Sequence, residues 1–393
     1  MRAIMVMLLL AGAVSLAGVA RAQPVRIGFV TNETGIGAAS GGPGTVAAAR
    51  MAVADFGGSV LGRKIQLDDA DFALKPDVAS AQARKWIDEG YDAIGDVAMS
   101  AAALNVADMT RAAKRIYLAT SPLTSDLTSA HCSPYTLHWA ADSYMLSQAV
   151  PRAVMARGGN QWYFITVDYA LGQSLERDSI AALEKLGGRS LGASRYPVGT
   201  TDYAQYLLAA QSSGANVIAL ATASDMLVNN LKQAHEFGMP RPGQMIVAPL
   251  LQQSDLDALG ADSAQGLFAV EQFYWDQSPR ARDFARRYQA KMGAMPGNQQ
   301  ADAYAAVTHY LNAVAAAGTT EAAAVMAKIK SLTADYFGKP ARVRADGRMM
   351  TGVDIYEVKK TAEMDGKFDS FRKTGSLAAE DVVRPMLPAC AFE

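Results

Sequence analysis

The chain predicts an α/β protein of two parallel-sheet lobes joined by a multi-strand hinge, and three observations carry that expectation. Short apolar runs alternate with helical patterns along most of the 393 residues, the grammar of parallel sheets covered on both faces. The alternation stops near residue 120 and restarts after 141. The length also exceeds the size at which single cores stop growing, so two cores are expected.

The first series opens with VRIGFV (25–30), a glycine-rich loop, and TVAAARMAVADF (45–56), whose small and apolar residues recur at helical spacing. It continues with KIQLDDAD (64–71), a helix over 76–89, YDAIGDV (91–97), a helix over 100–113 and RIYLAT (115–120). The second series has a helix over 144–157, QWYFITV (161–167), a helix over 171–186, RSLGASRYPV (189–198) and a helix over 202–212. NVIALAT (216–222), a helix to Phe237 and QMIVAPL (244–250) complete it. GLFAVEQFYWD (266–276) reads as a strand returning toward the first lobe, with helices over 279–292 and 299–316 and then two hairpin-like strands and an irregular tail. Returning segments imply several crossovers, and such a hinge bends without disconnecting the lobes. The expected division puts 23–140 with 274–338 in lobe 1 and 141–273 with 339–393 in lobe 2.

Residues 1–22, MRAIMVMLLLAGAVSLAGVARA, carry Arg2, an apolar stretch from Ala3 to Val19, and Ala20-Arg21-Ala22. That is the pattern of a secretory signal peptide cleaved after Ala22; the alternative, a membrane anchor, has a run barely as long as a minimal span. The expected location is the periplasm. Loss of Arg2 and Arg21 takes the chain from 37 basic and 38 acidic residues to 35 and 38, with no basic field for nucleic acid or anionic lipid. Cys132 and Cys390 stand 258 positions apart without a metal-ligand neighbour. In an oxidising compartment they read as one long-range disulfide, with two buried thiols as the alternative.

The loop from Thr31 to Gly44 sits where parallel sheets bind small molecules, beyond a strand's carboxyl end. It is not a dinucleotide fingerprint: Gly35-Ile36-Gly37 is followed by Ser40 where glycine is required, and the loop is longer than that turn. No G-x-x-x-x-G-K-[ST] occurs either. Neighbouring strand ends carry hydroxyls at helix starts: Ser100 in N-cap position after DVAM, and Thr120, Ser121 and Thr124 in ATSPLT. Hydroxyls and helix N-termini without nearby Lys or Arg suit a carboxylate; Ser100 alone reads rather as a plain helix cap, and it is the two adjacent loops together that put the carboxylate reading level with it.

At this point the chain resembles a known family. VRIGFVTNETG, AVADFGGSVLGRKIQL, SDLTSAHCSPY, DYALGQSLERDSIAALEKLGG and LKQAHEFGM follow, in order and spacing, the pattern of the Leu/Ile/Val-binding proteins, the periplasmic receptors of branched-chain-amino-acid-type ABC importers. The resemblance implies a type I periplasmic-binding fold that closes on a ligand and presents it to a membrane permease. It implies a cleft lined from the first lobe by Ser40, Met99, Ser100, Thr120, Ser121, Leu123 and Thr124. From the second lobe it implies Asp168, Tyr169, Thr222, Ala223, Leu250 and Gln252.

One departure separates this chain from amino-acid receptors, which keep an acidic side chain in the loop after the strand equivalent to QMIVAPL. Leu250, Leu251 and Gln252 stand there, and an unpaired ammonium in a closed cleft costs several kcal/mol. Tyr169, Tyr274 and Trp275 offer an apolar ligand a stacking surface, or pack the hinge. The expected ligand is a small carboxylate with an aromatic or apolar body, with branched-chain or other amino acids as the alternative. An exported α/β enzyme is the third reading. It lacks support, because no G-x-S-x-G is present and Tyr356 and Lys360 have dehydrogenase-like spacing on a strand-like run without a cofactor loop. His131, His138, His235 and His309 never pair at ligand spacing, so neither metal nor cofactor is expected. The receptor is expected to act as a monomer.

Overall fold

The computed structural model describes residues 23–35 and 37–392; the signal segment expected over 1–22 lies outside them. In the first lobe β1 (Val25–Thr31), β2 (Ser59–Val60), β3 (Arg63–Asp71), β4 (Ala93–Asp96), β5 (Ile116–Ala119) and β6 (Thr136–His138) form one sheet in the order β2-β3-β1-β4-β5-β6. Every pairing except the β2–β3 hairpin is parallel. The crossovers are α1 (Gly42–Asp55), α2 (Pro76–Asp88) and α3 (Ser100–Ala113).

After α4 (Ser143–Met155), β7 (Gln161–Val167), β8 (Arg189–Tyr196), β9 (Val217–Ala221) and β10 (Met245–Val247) form a second parallel sheet, ordered β10-β9-β7-β8. Its helices are α5 (Ala170–Lys185), α6 (Ala204–Ser212) and α7 (Ser224–Glu236). Because helices cover both faces, β7 reads as nearly unbroken apolar sequence, with Trp162, Phe164, Ile165 and Val167 all buried. Then come α8 (Gln253–Leu259), α9 (Ala261–Ala264), β11 (Phe268–Glu271), α10 (Pro279–Met292), α11 (Asn298–Ala317) and α12 (Ala322–Ser331). The remaining strands are β12 (Ala334–Tyr336), β13 (Lys339–Val343), β14 (Met349–Met350), β15 (Val353–Val358) and β16 (Phe371–Leu377).

Within GLFAVEQFYWD, β11 pairs antiparallel with β15 in a three-stranded sheet, and Phe268 and Val270 pack in the second lobe's core, on the lobe-2 side of the border expected between 273 and 274. The chain changes core after β11, Phe273 lying in the first core and Tyr274 in the second. The border expected at 338 falls inside the tight β12–β13 hairpin, which pairs Tyr336 with Lys339 and is too short to span two lobes. Ala341, Val343 and Met349 fill the first core, while Met350 and Val353 fill the second. Two crossings are clamped together by Arg348, which is fully buried and donates to the carbonyls of His138 and Ala140. Among the described residues no helix is long and apolar enough to cross a membrane.

Candidate functional site: a cavity between the lobes

The loops after β1, β3, β4 and β5 meet those after β7, β8 and β9 around a cavity of about 100 Å³. Its position beyond the carboxyl ends of both sheets is where open α/β sheets hold ligands. Wider grooves lie beside α10 and α11 (about 740 Å³) and behind the hinge (about 650 Å³). Neither is built from the strand-end loops of both lobes, so the cavity between the lobes is the candidate site.

The glycine loop serves close packing. A Cβ on Gly42, at φ 47°, would meet the Asn32 carbonyl at 2.4 Å. One on Gly41 would meet Gln299 Oε1 at 2.4 Å, and one on Gly44 the Tyr288 hydroxyl at 2.5 Å. The glycines bring the start of α1 onto α11, where Gln300 Nε2 donates to the Ser40 carbonyl at 2.9 Å. Ser40 is thereby held at the cavity wall.

Asp96 organises the strand ends of the first lobe and was not singled out by the sequence. It is fully buried at the end of β4, with Asp96 and Val97 at φ 71° and 64°. It accepts hydrogen bonds from Thr45 Oγ1 (2.9 Å), Thr120 Oγ1 (3.3 Å) and Ser121 Oγ. Burial pushes its carboxyl above the usual range, against those hydroxyls, which pull it down. The hydroxyls of Thr120 and Ser121 are thus committed to Asp96, although Ser121 still lines the cavity.

The helix starts also differ in detail from expectation. The N-cap of α3 is Met99, in extended conformation, and Ser100 is the first helical residue. Ser100 is 1% exposed and its Oγ has no protein partner. The N-caps of α1, α3, α5 and α7 are Gly41, Met99, Tyr169 and Ala223, and no side chain bonds the free N–H groups at any of them. Away from the cavity, Asp142 caps α4 and Ser278 caps α10. Met99, Tyr169 and Ala223 line the cavity, while Thr222 is buried behind Ala223 against the Tyr196 phenol.

Other expected residues fall elsewhere. Thr124 is buried and its Oγ1 accepts from Asp126 N, capping a short 3-10 turn. Asp168 is exposed and accepts from Gln173 Nε2 at 3.0 Å. The Tyr274 hydroxyl donates to the Phe368 carbonyl at 3.2 Å, and its ring packs against Tyr356 and Phe371 in the second core, so it does not face the cavity. Leu250 and Gln252 line a smaller compartment of about 20 Å³, which adjoins the main cavity through Leu123 and Gln299. Gln252 also caps α8 together with Asp255.

The two lobes touch across the cleft. Ser40 Oγ lies 2.9 Å from Ser224 Oγ, and Gly37 N donates to Asp225 Oδ2 at 3.1 Å. Leu74, Val198, Met226 and Gln299 line the cavity without having been expected, and among the described residues no charged side chain does so. The described residues also contain no cluster of His, Cys, Asp and Glu suited to a metal ion. Away from the cleft, Cys132 and Cys390 are joined, with Cα atoms 5.7 Å apart.

The family model for periplasmic binding proteins matches residues 24–363. The chain belongs to the periplasmic binding protein family. Its fold is similar to that of a periplasmic binding protein from Burkholderia mallei, with 37% identity and a TM-score of 0.90, covering 92% of this chain and 96% of the other. It is also similar to a branched-chain amino acid ABC transporter periplasmic ligand-binding protein from Burkholderia xenovorans, with 32% identity, TM-score 0.82 and coverage of 92% and 97%. A "Leu/Ile/Val-binding protein homolog 6" from Brucella suis is 26% identical over 164 residues, 41% of this chain and 42% of the relative. The chain thus spans about two fifths of the length of the curated relatives it matches. Similarity in fold alone extends to a solute-binding protein of an ABC transporter from Rhodopseudomonas palustris, solved with p-hydroxybenzoic acid (20% identity, TM-score 0.83, covering 91% and 97%).

Proposed function

We propose that the chain is an exported receptor of an ABC importer that closes its lobes over a small carboxylate with an apolar or aromatic body and delivers it to a membrane permease. The observation that carries this reading is the convergence of helix starts without side-chain caps on a cavity that, among the described residues, no charged side chain lines. Free N–H groups at helix starts carry partial positive charge, so they can hold a carboxylate without Lys or Arg. Ser100 does not itself line the cavity, but its buried, unpartnered hydroxyl stands one residue past the lining Met99, from where it can add a donor. Leu74, Met99, Leu123, Leu171, Val198 and Met226, with Tyr169, suit an apolar body.

An α-amino acid is the second reading, favoured by the names of the relatives and by two carboxyls, Glu271 and Asp302, in the adjoining compartment. Burial holds both well above the usual carboxylate range. Pairing with an ammonium would therefore require each to release a proton in a desolvated place, which disfavours this reading. A native mass spectrum of protein purified without unfolding tests the proposal through any ligand carried along. A carboxylic acid without an amine supports it, and a bound leucine, isoleucine or valine contradicts it.

A further inference from the structure

The groove of about 650 Å³ behind the hinge has two of the crossings as its floor, through Gln272 and through Met350, Thr351 and Gly352. It faces away from the cleft. Glu271 lines the small compartment beside the cleft and its neighbour Gln272 lines this groove, so successive residues where β11 leads into the crossing point to opposite sides. One wall belongs to the first lobe, with Pro340 and Arg342 of β13. The other belongs to the second, with Asp354 of β15, Leu377 of β16 and Glu380. Lys339 Nζ reaches Asp354 Oδ2 across the groove at 3.3 Å, and Arg342 Nη2 reaches Glu380 Oε1 at 3.6 Å.

Crossings set between a cleft and a groove act as a lever: rotation that parts the lobes at the cleft brings the walls of the groove together. Here the lobes touch at the cleft, Ser40 against Ser224 and Gly37 against Asp225, while the groove behind is wide. We infer that the two walls of this groove meet when the ligand leaves, and that their bulk and charge set how far the receptor opens and, through that, how tightly it binds. The inference rests on the lobe closure of the proposed function and holds whatever the ligand's chemistry. Narrowing the groove takes the exposed Pro340 and the half-buried Leu377 out of water, which favours the open form. Long side chains such as Arg342 and Glu380 can swing aside in the wide groove and have less room to do so in the narrow one. Anything that holds the walls apart therefore depopulates the open form, and a ligand that binds the closed form gains apparent affinity in proportion.

Small-angle scattering from the ligand-free whole mature protein tests this, with calorimetry against benzoate and leucine as probes. Pro340→Trp adds bulk at an exposed strand position, and Arg342→Glu sets two carboxylates against each other across the groove. Neither position lines the cavity. Both variants should have a smaller ligand-free radius of gyration than the wild type. They should also bind whichever probe the wild type holds about twofold or more tightly, the scale of an exposed ion pair. Reversing the pair, Arg342→Glu with Glu380→Arg, should return radius and affinity to the wild-type values, a repair that a merely structural role of Arg342 does not allow. Unchanged ligand-free radii in both single variants overturn the inference, and so does a contraction in Arg342→Glu that the reversed pair retains. A wild type whose radius stays the same when a probe binds removes lobe closure and this inference together. Contraction of the wild type on binding, with unresponsive variants, removes the inference alone. If neither probe binds, the ligand-free radii decide by themselves.

Discussion

Ser40 Oγ and Ser224 Oγ lie 2.9 Å apart across the cleft, joining two residues 184 positions apart on opposite lobes. Gln300 holds Ser40 through its carbonyl, and Ser224 begins α7 at φ 54°, a conformation unfavourable for a residue with a side chain. With the Gly37 to Asp225 bond, this contact links the two lobes beside the cavity. Closed lobes exclude water and bring both rows of helix starts to one ligand.

Replacing either serine by alanine removes one hydrogen bond made only when the lobes meet. Net values of about 0.5 to 1.5 kcal/mol per bond imply up to roughly tenfold weaker binding in Ser40→Ala or Ser224→Ala. Small-angle scattering should show a smaller radius of gyration with saturating ligand in the wild type. The same radius with and without bound ligand would count against closure.

Ser100→Ala should separate affinity from stability. Loss of a charge-assisted hydrogen bond to the carboxylate, about 1.5 to 3 kcal/mol, weakens binding roughly ten- to a hundredfold. Because Met99, not Ser100, occupies the N-cap position and the Ser100 hydroxyl has no protein partner, the melting temperature without ligand should hold or rise. A fall in melting temperature without loss of affinity would assign Ser100 a purely structural role.

Asp255 supplies a pH signature. Burial pushes its carboxyl up to about 7, against the hydrogen bond it accepts from Gln252 N and aided by the charge of Asp225. The unfolded chain ionises this group near pH 4. Between about pH 4 and 7 the folded state therefore binds more protons, and the contribution to stability falls as pH rises. Asp255→Asn cannot ionise, so its melting temperature relative to wild type should climb across that window and level off above it. A difference that is flat with pH would show that Asp255 is ionised in the fold.

The disulfide ties the C-terminal tail to the first lobe near Ser129, whose carbonyl Cys390 Sγ also approaches at 3.3 Å. Cys390→Ser should cost about 5 kcal/mol in the loop-closure account and leave affinity unchanged, since neither cysteine lines the cavity. Alkylation of unreduced periplasmic material should modify no thiol; two modified thiols would refute the bridge.

The alternation of strands and helices was legible because parallel sheets write themselves as apolar runs: QWYFITV is β7 residue for residue, and VRIGFV is β1 less Thr31. Met99, Ser121, Leu123, Tyr169 and Ala223 could be named because strand-end loops are local in sequence. Gln299 could not, since it reaches the cavity from α11 across more than 250 residues, and only the polar cluster in GNQQAD hinted at a role. Asp96 was hidden for a different reason: a carboxyl at a strand end reads as solvated until Thr45, Thr120 and Ser121 are seen to surround it. Tyr274 misled because an aromatic at a lobe crossover serves equally well as packing.

The central claim is that the cavity holds a carboxylate on helix N-termini without an ammonium partner, and calorimetry against three matched ligands tests it most directly. An apolar or aromatic acid, its primary amide and the corresponding α-amino acid differ only at the groups in question. The account predicts that the free acid binds, that the amide binds at least a hundredfold more weakly, and that the amino acid gains nothing from its ammonium. Leucine or valine binding at micromolar concentration or tighter while the plain acids fail would contradict it, and would place the ammonium against Glu271 or Asp302.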